Sequence, residues 1–457
     1  MKRKTGFFFQ LLLACGLMPF LGLSQNQKAA PPPAKNILIT NVQIFDGKNE
    51  QLTNGNILIS NNLITKVSSN PIVVDNSDNT TIIDGKGKLA MPGLIDAHAH
   101  VTTEIVPLQI ALTADASYIQ ILATKAAEAE IMRGFTTIRD VSGPTFGLKR
   151  AIDEGIVAGP RIYPSGSGIG QTSGHSDFRA TTDIPVSPTS PPTYMERNGF
   201  SMVADGADQV LLRTRELLKQ GASQIKLMAG GGVVSNFDPL DVTQYTEPEI
   251  KAAVDAATNW GTYVTVHAYT PNAIQSAIRA GVKCIEHGQL ADEATAKIMA
   301  EKGIWWSLQP FLDDEDAIPI PEGTPNRKKQ LEMVAGTDNA YKLAKKYNIK
   351  TAFGTDCLFD RKLSTRQGAQ LAKLVRWYTP FEVLKMATST NATLLAMSGK
   401  RNPYPNGKLG VIEEGAYADI ILVDGNPIQN IKLIEDPEKN FLLIMKNGKI
   451  YKNQIQK

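Results

Sequence analysis

Apolar residues along this chain change their spacing twice. From 36 to 92 they come in short runs, at 37–40, 42–45, 57–59, 63–67 and 80–83. Turn signals such as Asp46-Gly47 and Asn54-Gly55 part them, a texture that predicts β-strands. The same texture returns at 410–413, 419–423 and 441–445, the last ahead of Asn447-Gly448. Between these ends, strand-like runs at 136–139, 224–228, 263–266, 283–286 and 351–353 alternate with Ala-rich stretches of helical character at 117–133, 210–220, 247–260 and 271–280. Thr246 ahead of Glu247 and Pro248 reads as a helix start. Strand–helix units repeated over ~300 residues predict a (β/α)8 barrel of the TIM type. The two β-rich ends predict one small β-sandwich. The expected architecture is α/β, with sandwich halves at 36–92 and 398–457 around a barrel at 93–397.

The N-terminus reads as a targeting segment. Lys2, Arg3 and Lys4 precede an apolar stretch at 7–23, and Gly22-Leu23-Ser24 offers a cleavage site before Gln25. A signal peptide is expected at 1–24 and a Pro-rich tether at 25–35, for a protein that is periplasmic or secreted. The alternative is a lipoprotein anchored at Cys15, which would tie the protein to a membrane. Past the leader only Cys284 and Cys357 remain, which excludes a disulfide framework and predicts buried thiols. Net charge is +3 without a long basic run, so nucleic acid is not an expected partner. A homo-oligomer is left open.

Chemistry concentrates where the strands run out. Residues 91–100 read M-P-G-L-I-D-A-H-A-H, and Pro92-Gly93 argue against a helix. On a strand His98 and His100 point to one face and can grip one metal ion. His267, His287 and Asp356 follow the runs at 263–266, 283–286 and 351–353. A barrel places its catalytic groups at that end of its strands. Together they form a nitrogen and oxygen set suited to Zn²⁺ or Mn²⁺. Lys226 interrupts an apolar strand, where an unpaired lysine is rare. Carboxylated by CO₂, it becomes an anion with two oxygens able to bridge two metals. The Gly230–Gly232 run is not a phosphate loop, because no G-K-[ST] follows.

P-G-L-I-D-A-H-A-H, the in-strand Lys226, V-H-A-Y-T, I-E-H-G and G-T-D, in this order, resemble the amidohydrolase superfamily, as does the closing G-A-Y-A-D-I-I-L-V-D-G-N-P. The resemblance implies a distorted (β/α)8 barrel with two divalent ions, Zn²⁺ foremost. His98, His100 and Asp356 would hold one ion, His267 and His287 the other, with carboxylated Lys226 between. Segments at 173–179, 226–235 and 238–247 are similar to the branch of Xaa-Pro dipeptidases and carboxypeptidases near the imidazolonepropionases. That likeness implies that His175 and Tyr245 contact the substrate carbonyl or carboxylate, with Arg179 as a further carboxylate partner. After Asp356 the chain lacks a histidine often found in relatives, which bears on the substrate and not on the metal chemistry.

The expected function is an exported amidohydrolase that cleaves an amide or peptide bond beside a carboxylate, as a dipeptidase, carboxypeptidase or N-acyl-amino-acid hydrolase. Water made hydroxide by two metals would attack, and Asp356 would carry its proton to the leaving amine. His175 or Tyr245 would steady the oxyanion. Hydrolysis of cyclic amides or organophosphate esters is the alternative chemistry, and a metal-binding scaffold the non-enzyme alternative. The Ser-, Thr-, Gly- and Pro-rich segment 165–205 reads either as a cover over the substrate or as a solvated insertion.

Overall fold

The structure, a computed structural model, describes residues 35–455 except 76–78, 184–186 and 188. The expected leader, Cys15 and all but the last residue of the tether lie outside the described residues. Among those described, no helix is long and apolar enough to cross a membrane.

Eight short parallel strands carry the middle of the chain: β1 (Leu94–Ala99), β2 (Phe135–Asp140), β3 (Arg161–Pro164), β4 (Ile225–Met228), β5 (Val264–Ala268), β6 (Cys284–His287), β7 (Trp305–Leu308) and β8 (Thr351–Phe353). They ladder as two sheets and not as one closed ring. One sheet is β1-β2-β3. The other runs Ser201–Val203, Gly168–Gly170 and then β4 through β8. Both seams between the sheets are bridged. The Ser223 amide donates to the Pro164 carbonyl at 2.7 Å, and the Gln224 side chain donates to the Asp140 and Tyr163 carbonyls at 3.1 and 2.9 Å. At the other seam the Asp356 amide donates to the His98 carbonyl at 2.9 Å. Gly354 permits that approach, since a Cβ there would lie 2.4 Å from the His98 Cβ.

Helices follow the strands as their periodicity requires. Glu247–Trp260 starts with a capping box between Thr246 and Glu249 and buries Ile250, Ala253 and Ala257 against the parallel strands. The run β7 and the helix Pro325–Lys346 were not anticipated from the sequence.

Both chain ends enter one sheet of eight strands, joined where Leu89–Pro92 pairs antiparallel with Ile420–Val423. Strand alternation gives that sheet two apolar faces. Ile39, Ile57, Ile420 and Leu443 pack in a core of their own, while Met91, Ile421 and Phe441 face the core of the parallel strands. The ends therefore meet as expected, but in a single ladder and not in two. Residues 410–413, expected as a strand, form none. Val411 and Ile412 are nevertheless buried, and the Ile412 amide donates to the Asp46 carbonyl at 3.1 Å, so burial without a ladder accounts for the apolar run.

Candidate active site

The strand ends deliver the expected ligands to one cavity. His98 lies in β1 and His100 just beyond it, Lys226 in β4, His267 in β5, His287 at the end of β6, and Asp356 past β8. All six line the same cavity. His287 and Asp356 leave their strands with φ of 71° and 54°, a left-handed backbone that non-glycine residues seldom adopt. Such conformations persist where the surroundings hold them and cluster at functional sites.

Ligand atoms of His98, His287 and Asp356 lie within 4.8 Å of one another. Asp356 Oδ1 is 3.3 Å from His98 Nε2 and 3.0 Å from His100 Nε2. The His267 ring centre is 4.5 Å from that of His287. That trio crosses the two ligand sets that the resemblance implies.

The hydrogen bonds behind the rings decide which nitrogen faces the centre. His98 directs Nδ1 at Glu286 Oε2 (2.8 Å), His100 directs Nδ1 at the Ser142 carbonyl (3.0 Å), and His287 directs Nδ1 at Gln309 Oε1 (2.7 Å). His267 is reversed, with Nε2 on the Gly231 carbonyl at 3.0 Å. Each partner is an acceptor, so that nitrogen carries a proton and the opposite one turns to the centre. His98 Nε2 is buried and has no hydrogen-bond partner. An orphaned ring nitrogen of this kind fits a metal ion, and outer hydrogen bonds of this kind orient metal-binding histidines.

Charges follow from burial and neighbours. Burial opposes the charge of Asp356, but His98 and His100 outweigh it and hold the carboxyl well below its usual range. Burial holds His267 and His287 well below the ordinary imidazole range. Burial also pulls Lys226 down to about 8.

Two residues that the sequence reading passed over stand behind His98. Glu286 is fully buried and takes hydrogen bonds from His98, from the Thr265 hydroxyl and from Arg139 Nη2 at 2.7 Å. Arg139, equally buried, also donates to the Ala97 carbonyl (2.6 Å), the Tyr263 hydroxyl (3.3 Å) and the Ser307 hydroxyl (3.2 Å). Burial opposes ionisation of Glu286, yet the guanidinium outweighs it and holds the carboxyl well below its ordinary range. A charged residue inside an apolar strand singled out Lys226; F-T-T-I-R-D and C-I-E-H carry the same signal.

His175 reaches the cavity from segment 165–205 and stacks on His267, ring centres 4.2 Å apart. Its Nδ1 meets Ser235 Oγ at 2.7 Å and lies 3.7 Å from Asp238 Oδ2, which leaves Nε2 for the cavity. Gly232 makes room, because a Cβ there would sit 1.9 Å from His175 Nδ1. Lys329 pins the same loop by donating to the Gly232 and Ser235 carbonyls, both at 2.6 Å. Segment 165–205 also gives Ser176, Phe178, Met195 and Phe200 to the wall, so it borders the site instead of standing apart.

The other two expected substrate residues are placed elsewhere. Tyr245 is buried outside the cavity lining, and its hydroxyl donates to the Ala204 carbonyl at 2.8 Å. That bond turns the phenol away from the histidines. Arg179 pairs with Asp177 through Nε at 2.7 Å and lines an adjacent cleft that shares Leu112, Ser176, Phe178 and Met195 with the main cavity. Its neighbour two residues back satisfies it locally. Cys284 and Cys357 are buried free thiols, as expected.

A family model described as the amidohydrolase family matches residues 89–451, from the strand that precedes the histidine pair to the last hairpin. The chain belongs to the amidohydrolase family. Among its relatives is the ochratoxinase of Aspergillus niger, 29% identical over 93% of this chain and 88% of that one. A prolidase solved in complex with N-methylphosphonate-L-proline is 33% identical, covers 92% of this chain and 100% of its own, and superposes with a TM-score of 0.83. A Xaa-Pro dipeptidase solved with bound methionine is 30% identical at the same coverages, with a TM-score of 0.78. This amidohydrolase is a hydrolase acting on carbon–nitrogen bonds of the amide or peptide type.

Proposed function

We propose that this amidohydrolase is metal-dependent and cleaves an amide or peptide bond whose amine product bears a carboxylate. The observation that carries the metal is the buried, unpartnered His98 Nε2 facing Asp356 beside His287. Its prolidase and Xaa-Pro dipeptidase relatives support the bond type. The same reading takes the two parallel sheets as one distorted (β/α)8 barrel and the terminal sheet as a folded-over sandwich.

His98, His100, His267, His287, Asp356 and carboxylated Lys226 would hold two divalent ions, Zn²⁺ foremost. When bound, such ions supply Lewis acidity and water activated at neutral pH. Asp356, kept ionised between His98 and His100, accepts a proton from the attacking water and returns it to the departing amine nitrogen. His175 rests Nδ1 against Ser235 and near Asp238, which leaves Nε2 to meet a carbonyl or carboxylate of the substrate.

The test is hydrolysis of dipeptides and N-acyl amino acids by zinc-replete protein, before and after chelation. Cleavage that stops on chelation and returns with Zn²⁺ is expected. Turnover indifferent to chelation would remove the metal from the reading, and no turnover across the panel would remove the reading.

Two variants refine it. His175→Asn is expected to keep its metal and lose about 10²–10³ in turnover if the imidazole serves the oxyanion. A contact with the substrate carboxylate would show instead as a rise in KM. Metal content falling in step with activity would make His175 a support of the metal site. For Lys226, the buried amine attacks CO₂, an N–C bond forms and a proton leaves to solvent. ¹³C NMR of metal-loaded protein in ¹³CO₂-enriched buffer should show one carbamate that is missing in Lys226→Ala. A spectrum without that signal would leave an unmodified amine.

The leader would deliver the enzyme to the periplasm or beyond. A mature N-terminus at Gln25 supports this, whereas a lipid on Cys15 supports the anchored alternative.

A further inference from the structure

We infer that the substrate's acyl side is bulky, apolar and free of any ammonium group, so that the enzyme takes N-acyl amino acids in preference to free dipeptides. The inference rests on the amide-hydrolase reading above and selects within it. It comes from the apolar part of the cavity wall.

The cavity holds about 130 Å³ of free space and opens to solvent. Leu112, Phe178, Met195, Phe200, Phe311 and Met333 face it from five separate stretches of chain. Burying apolar area against such a wall favours a substrate that fills it.

A dipeptide would bring an α-ammonium into the same space. Among the described residues lining the cavity, only Asp316 and Asp356 are acidic. Asp316 already accepts from Arg366 Nε at 2.6 Å and lies 3.0 Å from Lys373 Nζ, so its charge is met twice. Asp356 stands between His98 and His100. The ammonium would lose water and find no free carboxylate, and a buried charge without a partner is costly. A carboxylate on the amine side fares differently, because it can meet His175. Among the described residues, Lys226 is the only lysine lining the cavity, and no arginine does. Selection therefore acts on the ammonium and on the bulk of the acyl group.

One matched series isolates both effects. L-Phe-L-Phe and N-(3-phenylpropanoyl)-L-phenylalanine differ only by the α-ammonium, and N-acetyl-L-phenylalanine removes the bulk. With zinc-loaded protein, kcat/KM for the phenylpropanoyl compound should exceed that for each of the other two at least about tenfold, which is ~1.4 kcal/mol each. Cleavage of all three with Phe-Phe equal or preferred would overturn the inference and leave the amide-hydrolase reading standing. Cleavage of the phenylpropanoyl and acetyl compounds at equal efficiency would overturn the claim of an apolar acyl site. Failure to cleave any of them at full metal content would defeat that reading for these bonds, and the inference with it.

Discussion

Asp356→Asn is expected to fold normally and to lose about 10²–10⁴ in kcat, the usual worth of a positioned general base. The amide side chain has the same size, and the backbone at 356 is held independently of it, by the bond from its amide to the His98 carbonyl. The left-handed φ of 54° at this position is one that asparagine tolerates as well as aspartate. What is lost is the charge. His98 and His100 hold the Asp356 carboxyl in its ionised form, and that form alone can take a proton from water. The variant also loses one anionic ligand, so metal content must be measured on the same preparation. If metal is retained and kcat falls, the base role stands. If metal and activity fall together, the carboxylate acts chiefly as a ligand. Near-normal turnover at full metal content would exclude the proposed proton transfer. A thermal midpoint close to that of the parent protein checks the fold.

How much of this site the sequence discloses depends on whether a residue acts at a strand end or through the interior. His98, His100, His267, His287 and Asp356 were legible because each follows an apolar run, and strand direction alone brings such residues together. Lys226 was legible because an unpaired charge in a strand demands a reason. Arg139 and Glu286 demanded the same reason, and their pairing across the interior joins β2 to β6, a contact that no local pattern encodes. Gln309, which fixes the His287 ring, follows a strand missing from the sequence reading, since W-W-S-L is too short to separate from its surroundings. Tyr245 and Arg179 show the opposite limit. Both lie in irregular segments whose path is set by tertiary contacts, and the partners that claim them are the Ala204 carbonyl and Asp177.

Arg139→Met should be the most destabilising single change in the interior, by about 3–5 kcal/mol, because it leaves a buried carboxylate without its cation. Glu286 has no exposure to water, so solvent cannot replace the guanidinium. The loss spreads further than one pair, since Arg139 also donates to Ala97 of β1 and Ser307 of β7. Removing both charges in Arg139→Met/Glu286→Gln should be less destabilising than the two single changes summed, as no unpaired charge remains. The glutamine amide oxygen can still accept from His98 Nδ1, so the double variant should retain part of its metal affinity. The pH dependence has a definite sign. In the parent protein the Glu286 carboxyl lies well below the ordinary 4.5, so its contribution is complete above that pH and is lost on acidification. In Arg139→Met the strongest opponent of burial is gone, and the carboxyl rises from its parent position although His98 and Thr265 still donate to it. The gap to the parent protein therefore narrows as pH falls and Glu286 takes up its proton. Thermal unfolding of parent, single and double variants from neutral to mildly acid pH reads this directly. A gap that stays constant over that range would mean that Arg139 stabilises by packing and backbone contacts alone, and not by holding the charge of Glu286 behind His98.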